Sequence, residues 1–371
     1  ILFIISMRTV KHESKKPGPG AIKTGKLFLD TLDGHVGERV PFWFMRQAGR
    51  YLPEYRELRQ KKGGFLAMAM DPDTACEITM QPIRRFGMDA AIIFSDILVV
   101  PQALGQKLEF VENEGPRLEP LRSGADIAKL NFRDFEKNLA PVSEALRKTA
   151  AQLKAENFGQ TALIGFAGAP WTVAAYMIEG GGSRDFLHAK KMAYSDPESF
   201  SALIDLLVES TTAYLSKQIQ AGAEAVQIFD SWAGLLDDDL FQRWVIKPTR
   251  EIVTHLRAAH PYVPIIGFPR GAGANYIAYA HDTNVTAIGL DSHVPARWAA
   301  KTLQPTLPVQ GNLDPVALMA GGDALSLSAE RIITNLSHGL FVFNLGHGIH
   351  KDTPVEHVAA LCDLLKNWRL G

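Results

Sequence analysis

Short apolar runs recur along the chain, each ending in polar and glycine residues and followed by an amphipathic stretch. Residues 40–45, 89–94, 161–166, 225–229, 264–268, 286–290, 307–310 and 340–343 read as buried strands. Between them the helical period predicts helices over 26–33, 53–59, 73–86, 132–157, 196–222, 238–260, 275–280, 296–302, 315–336 and 354–369. Pro53 and Pro197 open two of these helices, Gly222 closes one, and Gly321-Gly322 interrupts another. A further helix carries Tyr176 and stops at Gly180–Gly182. Residues 99–119, with Pro, Gly and an alternation through Leu108 and Phe110, read as a hairpin insertion.

Apolar strands that alternate with helices, eight in number, predict an α/β chain folded as a single-domain (β/α)8 barrel. The rival architecture is a doubly wound sheet, which usually stops near about six strands and carries a glycine-rich dinucleotide turn. Gly271-Ala272-Gly273 is too short for that turn, and no Walker motif is present. The barrel domain is expected over 26–371, with no linker inside it. Residues 1–25 are set apart as a flexible extension, basic and rich in Pro and Gly over 11–20. Its first five residues are apolar but too few to span a bilayer, and those before Met7 read as non-native.

Composition narrows the function classes. The chain has 371 residues, 46% apolar and 21% charged, as in soluble globular proteins. Lys and Arg number 39 against 40 Asp and Glu, so no overall field favours nucleic acid or an anionic membrane. A positive site must therefore be local. Cys76 and Cys362 form no disulfide framework and no Cys-x-x-Cys pair, which fits a reducing cytoplasm.

In a barrel the chemistry sits on the loops after the strands. Those positions hold Arg46 and Arg50, Ser95 and Asp96, Trp171 with Tyr176, Asp230 with Ser231, Arg270, Asp291, Asn312 with Asp314, and His347 between two glycines. Arg46 and Arg50 flank Gln47-Ala48-Gly49, with Gly49 expected to supply the bend. Their forked cations suit carboxylate or phosphate, or else serve a structural ion pair. Asp96 reads either as a site carboxylate or as a cap for the next segment. Tyr176 is a site phenol or a core residue, and Ser231 a site hydroxyl or an N-cap. His347 and His350 have a helical metal-ligand spacing, but a glycine lies between them and no third ligand is evident. No Ser–His–Asp order supports a nucleophile.

Two long stretches resemble the signatures of the uroporphyrinogen decarboxylase family. The first is Pro41-Phe42-Trp43-Phe44-Met45-Arg46-Gln47-Ala48-Gly49-Arg50, and the second runs from Gly165-Phe166 through Pro170-Trp171-Thr172 and Tyr176 to Glu179-Gly180-Gly181. Phe94-Ser95-Asp96, Phe229-Asp230-Ser231-Trp232, Gly311-Asn312-Leu313-Asp314 and Asn344-Leu345-Gly346-His347-Gly348 are also similar, in the family's order. Asp291-Ser292-His293 and His350-Lys351 depart from it.

The resemblance implies a cytoplasmic homodimeric enzyme that decarboxylates the four acetate side chains of uroporphyrinogen III, giving coproporphyrinogen III. It implies no metal and no organic cofactor, and no nucleic-acid or membrane partner. Asp96 is implied as the central carboxylate, and Arg46 as the nearest candidate proton donor beside a bound water. Substrate contacts are implied for Arg46, Gln47, Ala48, Gly49, Arg50, Arg59, Asp96, Tyr176, Ser231 and His347. A corrinoid-dependent methyltransferase of the same superfamily and a non-catalytic tetrapyrrole carrier are the rival readings.

Overall fold

The computed structural model describes residues 23–111 and 115–370. Its strands, in chain order, are β1 (Ala90–Ile92), β2 (Leu108–Val111), β3 (Gly115–Leu118), β4 (Ala162–Gly168), β5 (Ala225–Asp230), β6 (Ile265–Pro269), β7 (Ala287–Gly289), β8 (Val309–Leu313) and β9 (Phe341–Leu345). Seven of them form one parallel sheet in the order β1-β4-β5-β6-β7-β8-β9. Almost every residue of these seven is buried, which is why the runs are continuously apolar rather than alternating. Helices cover one face of the sheet. On the other, Trp43 Nε1 donates to Gln310 Oε1 (2.8 Å) and Gln310 Nε2 donates to Gln227 Oε1 (3.0 Å), a buried polar row across strands.

The sheet curls, and both its edges meet residues 41–43. Phe343 N donates to Pro41 O (2.8 Å), Trp43 N to Phe343 O (3.3 Å), and Asp89 N to Phe42 O (3.0 Å). The expected strand 40–45 is thus a single parallel bridge, Phe42 to Phe343, instead of a regular strand. The cause is local. Pro41 has no N–H to give, and the Phe42 N–H goes to the Asp89 carboxylate (2.9 Å), itself gripped by the Arg39 fork.

β2 and β3 form the expected antiparallel hairpin, but the insertion opens with a helix, Val99–Ala103. The predicted helix 238–260 is three pieces: Asp238–Phe241, a π-helical turn Gln242–Ile246, and Lys247–Ala259. The stretch 315–336 divides at Gly321 into Pro315–Ala320 and Gly322–Leu336, as expected. Helices Phe65–Ala69 and Leu187–Ser195 had no counterpart in the pattern. Most of the predicted extension, residues 1–22, lies outside the described residues.

Candidate active site

The residues that follow the strands gather at the C-terminal end of the sheet. Behind the bridge at Phe42 the chain turns sharply, tied by Met45 N to Asn344 Oδ1 (3.0 Å) and Ile349 N to Met45 O (2.9 Å). The turn is at Arg46 itself, whose φ of 58° is in the left-handed region that side chains rarely adopt. Gly49, expected to supply the bend, does not. A Cβ there would meet only Arg46 O at 3.6 Å, an ordinary contact. The needed glycine is Gly348, where a Cβ would lie 2.3 Å from Arg46 Cδ.

Gln47 is completely buried, and its groups are used within the loop. Its side chain accepts from Phe44 N (3.2 Å) and donates to Ala90 O on β1 (3.1 Å), while Tyr51 donates to its carbonyl (2.7 Å). Gln47 therefore pins the loop to β1, leaving Ala48 and Gly49 half-buried and Arg46 and Arg50 exposed. Arg50 and Arg59 both lie near the Tyr55 hydroxyl, whose ring packs edge-on against Phe94 at 5.8 Å. Among the described residues Arg46 and Arg50 form no ion pair, so the structural-pair reading has no partner for them.

Asp96 follows β1. One oxygen accepts from Leu98 N (2.8 Å), as a turn residue entering helix Val99–Ala103 would, and the other has no hydrogen bond among the described residues. Burial pushes its carboxyl up to about 6, against the pull of the Leu98 N–H and of Arg46. Tyr176, half-buried on helix Pro170–Glu179, stands in the field of both Asp96 and Arg46, and burial raises its hydroxyl. Its ring packs against Phe186 (5.7 Å) and Trp232 (6.2 Å). Phe166, Phe229 and Phe268 stand edge to face (5.6 and 5.9 Å) as an apolar wall across β4, β5 and β6.

Ser231 follows the buried Asp230 at the end of β5. The neighbouring Trp232 N donates to Thr172 Oγ1 (3.1 Å) and Trp171 Nε1 donates to Trp232 O (3.0 Å), locking this loop to the helix that bears Tyr176. Ser231 caps no helix: the next turn, Ala233–Leu235, has no side-chain cap.

His347 accepts at Nδ1 from Gly348 N (2.7 Å), so its proton is on Nε2. Burial, Arg46 and Arg270 together push its imidazole down to about 4, with Asp291 pulling the other way. It is a neutral N–H donor at the mouth. His350 is exposed and turns to Asp352 (3.6 Å). Arg270, the residue after β6, was visible as a strand-end position but not assigned to the site; Gly348 and the phenylalanine wall also escaped assignment.

Here the exposed Arg46 cation stands in common with a neutral imidazole N–H, a phenol and one half-free carboxylate, at the end of the sheet where the strands stop. Such a set can hold a large ligand with many carboxylates and stabilise positive charge at its centre. Residues 23–368 match the family model described as Uroporphyrinogen decarboxylase (URO-D). The uroporphyrinogen decarboxylase of Rhodospirillum rubrum is 52% identical over 93% of this chain and 98% of the relative. That of Sphingopyxis alaskensis is 53% identical over 91% and 96%. A methyltransferase from Methanosarcina mazei shares the fold, with a TM-score of 0.77 over 92% of this chain and 98% of that one at 18% identity. By the family match over residues 23–368 and by the agreement of its curated relatives, the chain belongs to the uroporphyrinogen decarboxylase family.

Proposed function

We propose that this enzyme, a decarboxylase of porphyrin biosynthesis, converts the four acetate arms of uroporphyrinogen III to methyls with Asp96 as its central stabilising group. Loss of CO2 from a pyrrole acetate would strand an electron pair on the CH2 carbon. A proton added to the adjacent ring carbon makes the ring a cationic sink. The C–CO2 bond then breaks, its pair forms an exocyclic C=C, and CO2 departs. A second proton reaches the CH2 carbon as the ring carbon loses its own, so each acetate consumes one proton and yields a methyl and CO2.

The observation that carries this reading is the unbonded oxygen of Asp96, set beside Arg46 and Tyr176 where the strands end. That oxygen is free to accept pyrrole N–H groups and to stabilise the cation by preorganised charge. The first proton comes from Arg46, the cation nearest Asp96, or from water. Arg46, Arg50, Arg59, Tyr176, Ser231 and the Nε2–H of His347 would hold the carboxylate arms, with Ala48 and Gly49 offering backbone contacts. Gln47 serves as the pin beneath them.

The reading includes a closed (β/α)8 barrel, in which residues 41–43 are the eighth strand, supported by their bonds to both sheet edges. It also takes residues 26–371 as one domain, in a cytoplasmic homodimer, as is usual for the family. The methyltransferase reading would require a metal-bound thiol activator; Cys362 is buried inside helix Val355–Asn367.

Asp96→Asn tests the assignment. It keeps an acceptor for Leu98 N but removes the charge, so kcat should fall by about 10²–10³, or about 2.7–4 kcal/mol, with no loss in melting temperature. If Asp96 served only as a cap, Asn would cap equally well and turnover would be spared. A near-normal rate in the folded Asp96→Asn protein would remove Asp96 from the chemistry.

A further inference from the structure

Arg270 immediately follows β6, on the far side of the sheet order from the loop that bears Arg46 and Arg50. Its backbone is clamped from three directions. Arg270 N donates to Asp230 O (3.0 Å), Gly234 N donates to Arg270 O (3.0 Å), and Gly271 N donates to Asp291 Oδ2 (2.7 Å). The β5 and β6 loops touch so closely that a Cβ on Gly234 would lie 2.4 Å from Gly271 O. Asp291 is in turn fixed by Tyr276 OH (3.0 Å) and His293 N (2.9 Å). With its oxygens so engaged, Asp291 makes no salt bridge to Arg270, and among the described residues the half-buried guanidinium has no hydrogen-bond or ion-pair partner.

A half-buried cation on a rigid backbone, left without an internal anion, is arranged for an anion that arrives from outside. The field of Arg270 reaches His347, which Arg46 flanks as well, so the two arginines address one mouth. We propose that Arg270 holds a carboxylate arm of the tetrapyrrole and is a specificity-determining residue of this enzyme. The inference rests on the decarboxylase reading above. The arm is an acetate or a propionate, since both present the same carboxylate.

The test uses the full chain with Arg270→Gln and Arg270→Lys. Anaerobic kinetics with uroporphyrinogen III are measured beside equilibrium binding of oxidised uroporphyrin and of coproporphyrin, in which the acetates are methyls. Arg270→Gln is expected to raise KM by about tenfold or more with kcat nearly unchanged, and to weaken uroporphyrin binding in step. Arg270→Lys, which keeps the charge but loses the fork, should fall between it and wild type. Weaker binding of uroporphyrin alone marks an acetate arm, and weaker binding of both porphyrins a propionate. Unchanged KM and unchanged porphyrin affinity in a variant that melts like wild type would overturn the proposal, as would a loss confined to kcat. If Arg270→Gln does not fold while Arg270→Lys binds and turns over like wild type, the role is structural and the proposal fails. A wild-type chain that does not decarboxylate uroporphyrinogen would defeat the reading of the function, while porphyrin binding would still decide the role of Arg270.

Discussion

Asp96 and His347 titrate with opposite consequences. The Asp96 carboxyl is raised to about 6 from an ordinary value of 3.8, so the native state binds its proton more tightly than the unfolded chain does. Stability from this group is complete below about pH 3.8 and is lost as pH rises through about 6. Asp96→Asn should therefore melt higher than wild type at pH 7–8, with the difference vanishing near pH 4, as scanning calorimetry across that range would show. His347, lowered to about 4 from 6.5, adds stability above pH 6.5 that is lost as pH falls through about 4. With Asp96 acting as proposed, in its ionised form, kcat/KM should drop about tenfold per pH unit below about pH 6. Pyrrole N–H donors favour the carboxylate, so the acid limb of kcat should lie lower than that of kcat/KM. A kcat/KM profile flat to pH 5, with the protein folded throughout, would contradict an ionised Asp96.

At the scale of elements, the loop at Arg46 depends on the loop at Gly348. Gly348→Ala would push a methyl into Arg46 and turn its guanidinium away, while Gly348 itself has no left-handed backbone to strain. The expected result is a KM higher by about tenfold, as for a lost charge-assisted contact, with a nearly unchanged melt. Wild-type kinetics would show that Arg46 does not need that position. What could be read from the sequence follows the range of the interactions. Buried parallel strands such as β4 and β5 announce themselves because both faces are apolar. Residues 40–45 have the same apolar signature, yet their N–H groups bond to Asp89, Gln47 and Asn344 side chains, two of them far along the chain. Helix Leu187–Ser195 starts from Phe186 in a left-handed conformation, and its first N–H groups are capped by Glu179 from the preceding helix, so no local cap signalled it. The candidate site was legible wherever a polar residue ended an apolar run. Arg270 had that signal but no motif to single it out, and the bend at Arg46 was masked by a nearby glycine.

Over the whole molecule, positive and negative charges nearly cancel, yet Arg46, Arg50 and Arg270 stand without ion pairs among the described residues, and they follow the strands. A positive site of this kind is local, the only kind that a near-zero net charge leaves room for. For the homodimer proposed above, sedimentation at micromolar concentration should give twice the monomer mass; a monomer there would contradict that part of the account. The alternation of strands and helices carried the architecture, because each parallel connection needs a crossover. The substrate's identity came from the motifs, since no spacing of arginines specifies a tetrapyrrole. The most direct measurement is an anaerobic incubation of the purified chain with uroporphyrinogen III, followed by oxidation and chromatography of the porphyrins. Stepwise loss of acetates to the coproporphyrin level is expected, slowed by about 10²–10³ in Asp96→Asn under the same conditions. Unaltered uroporphyrin, or equal progress by the two proteins, would contradict the account.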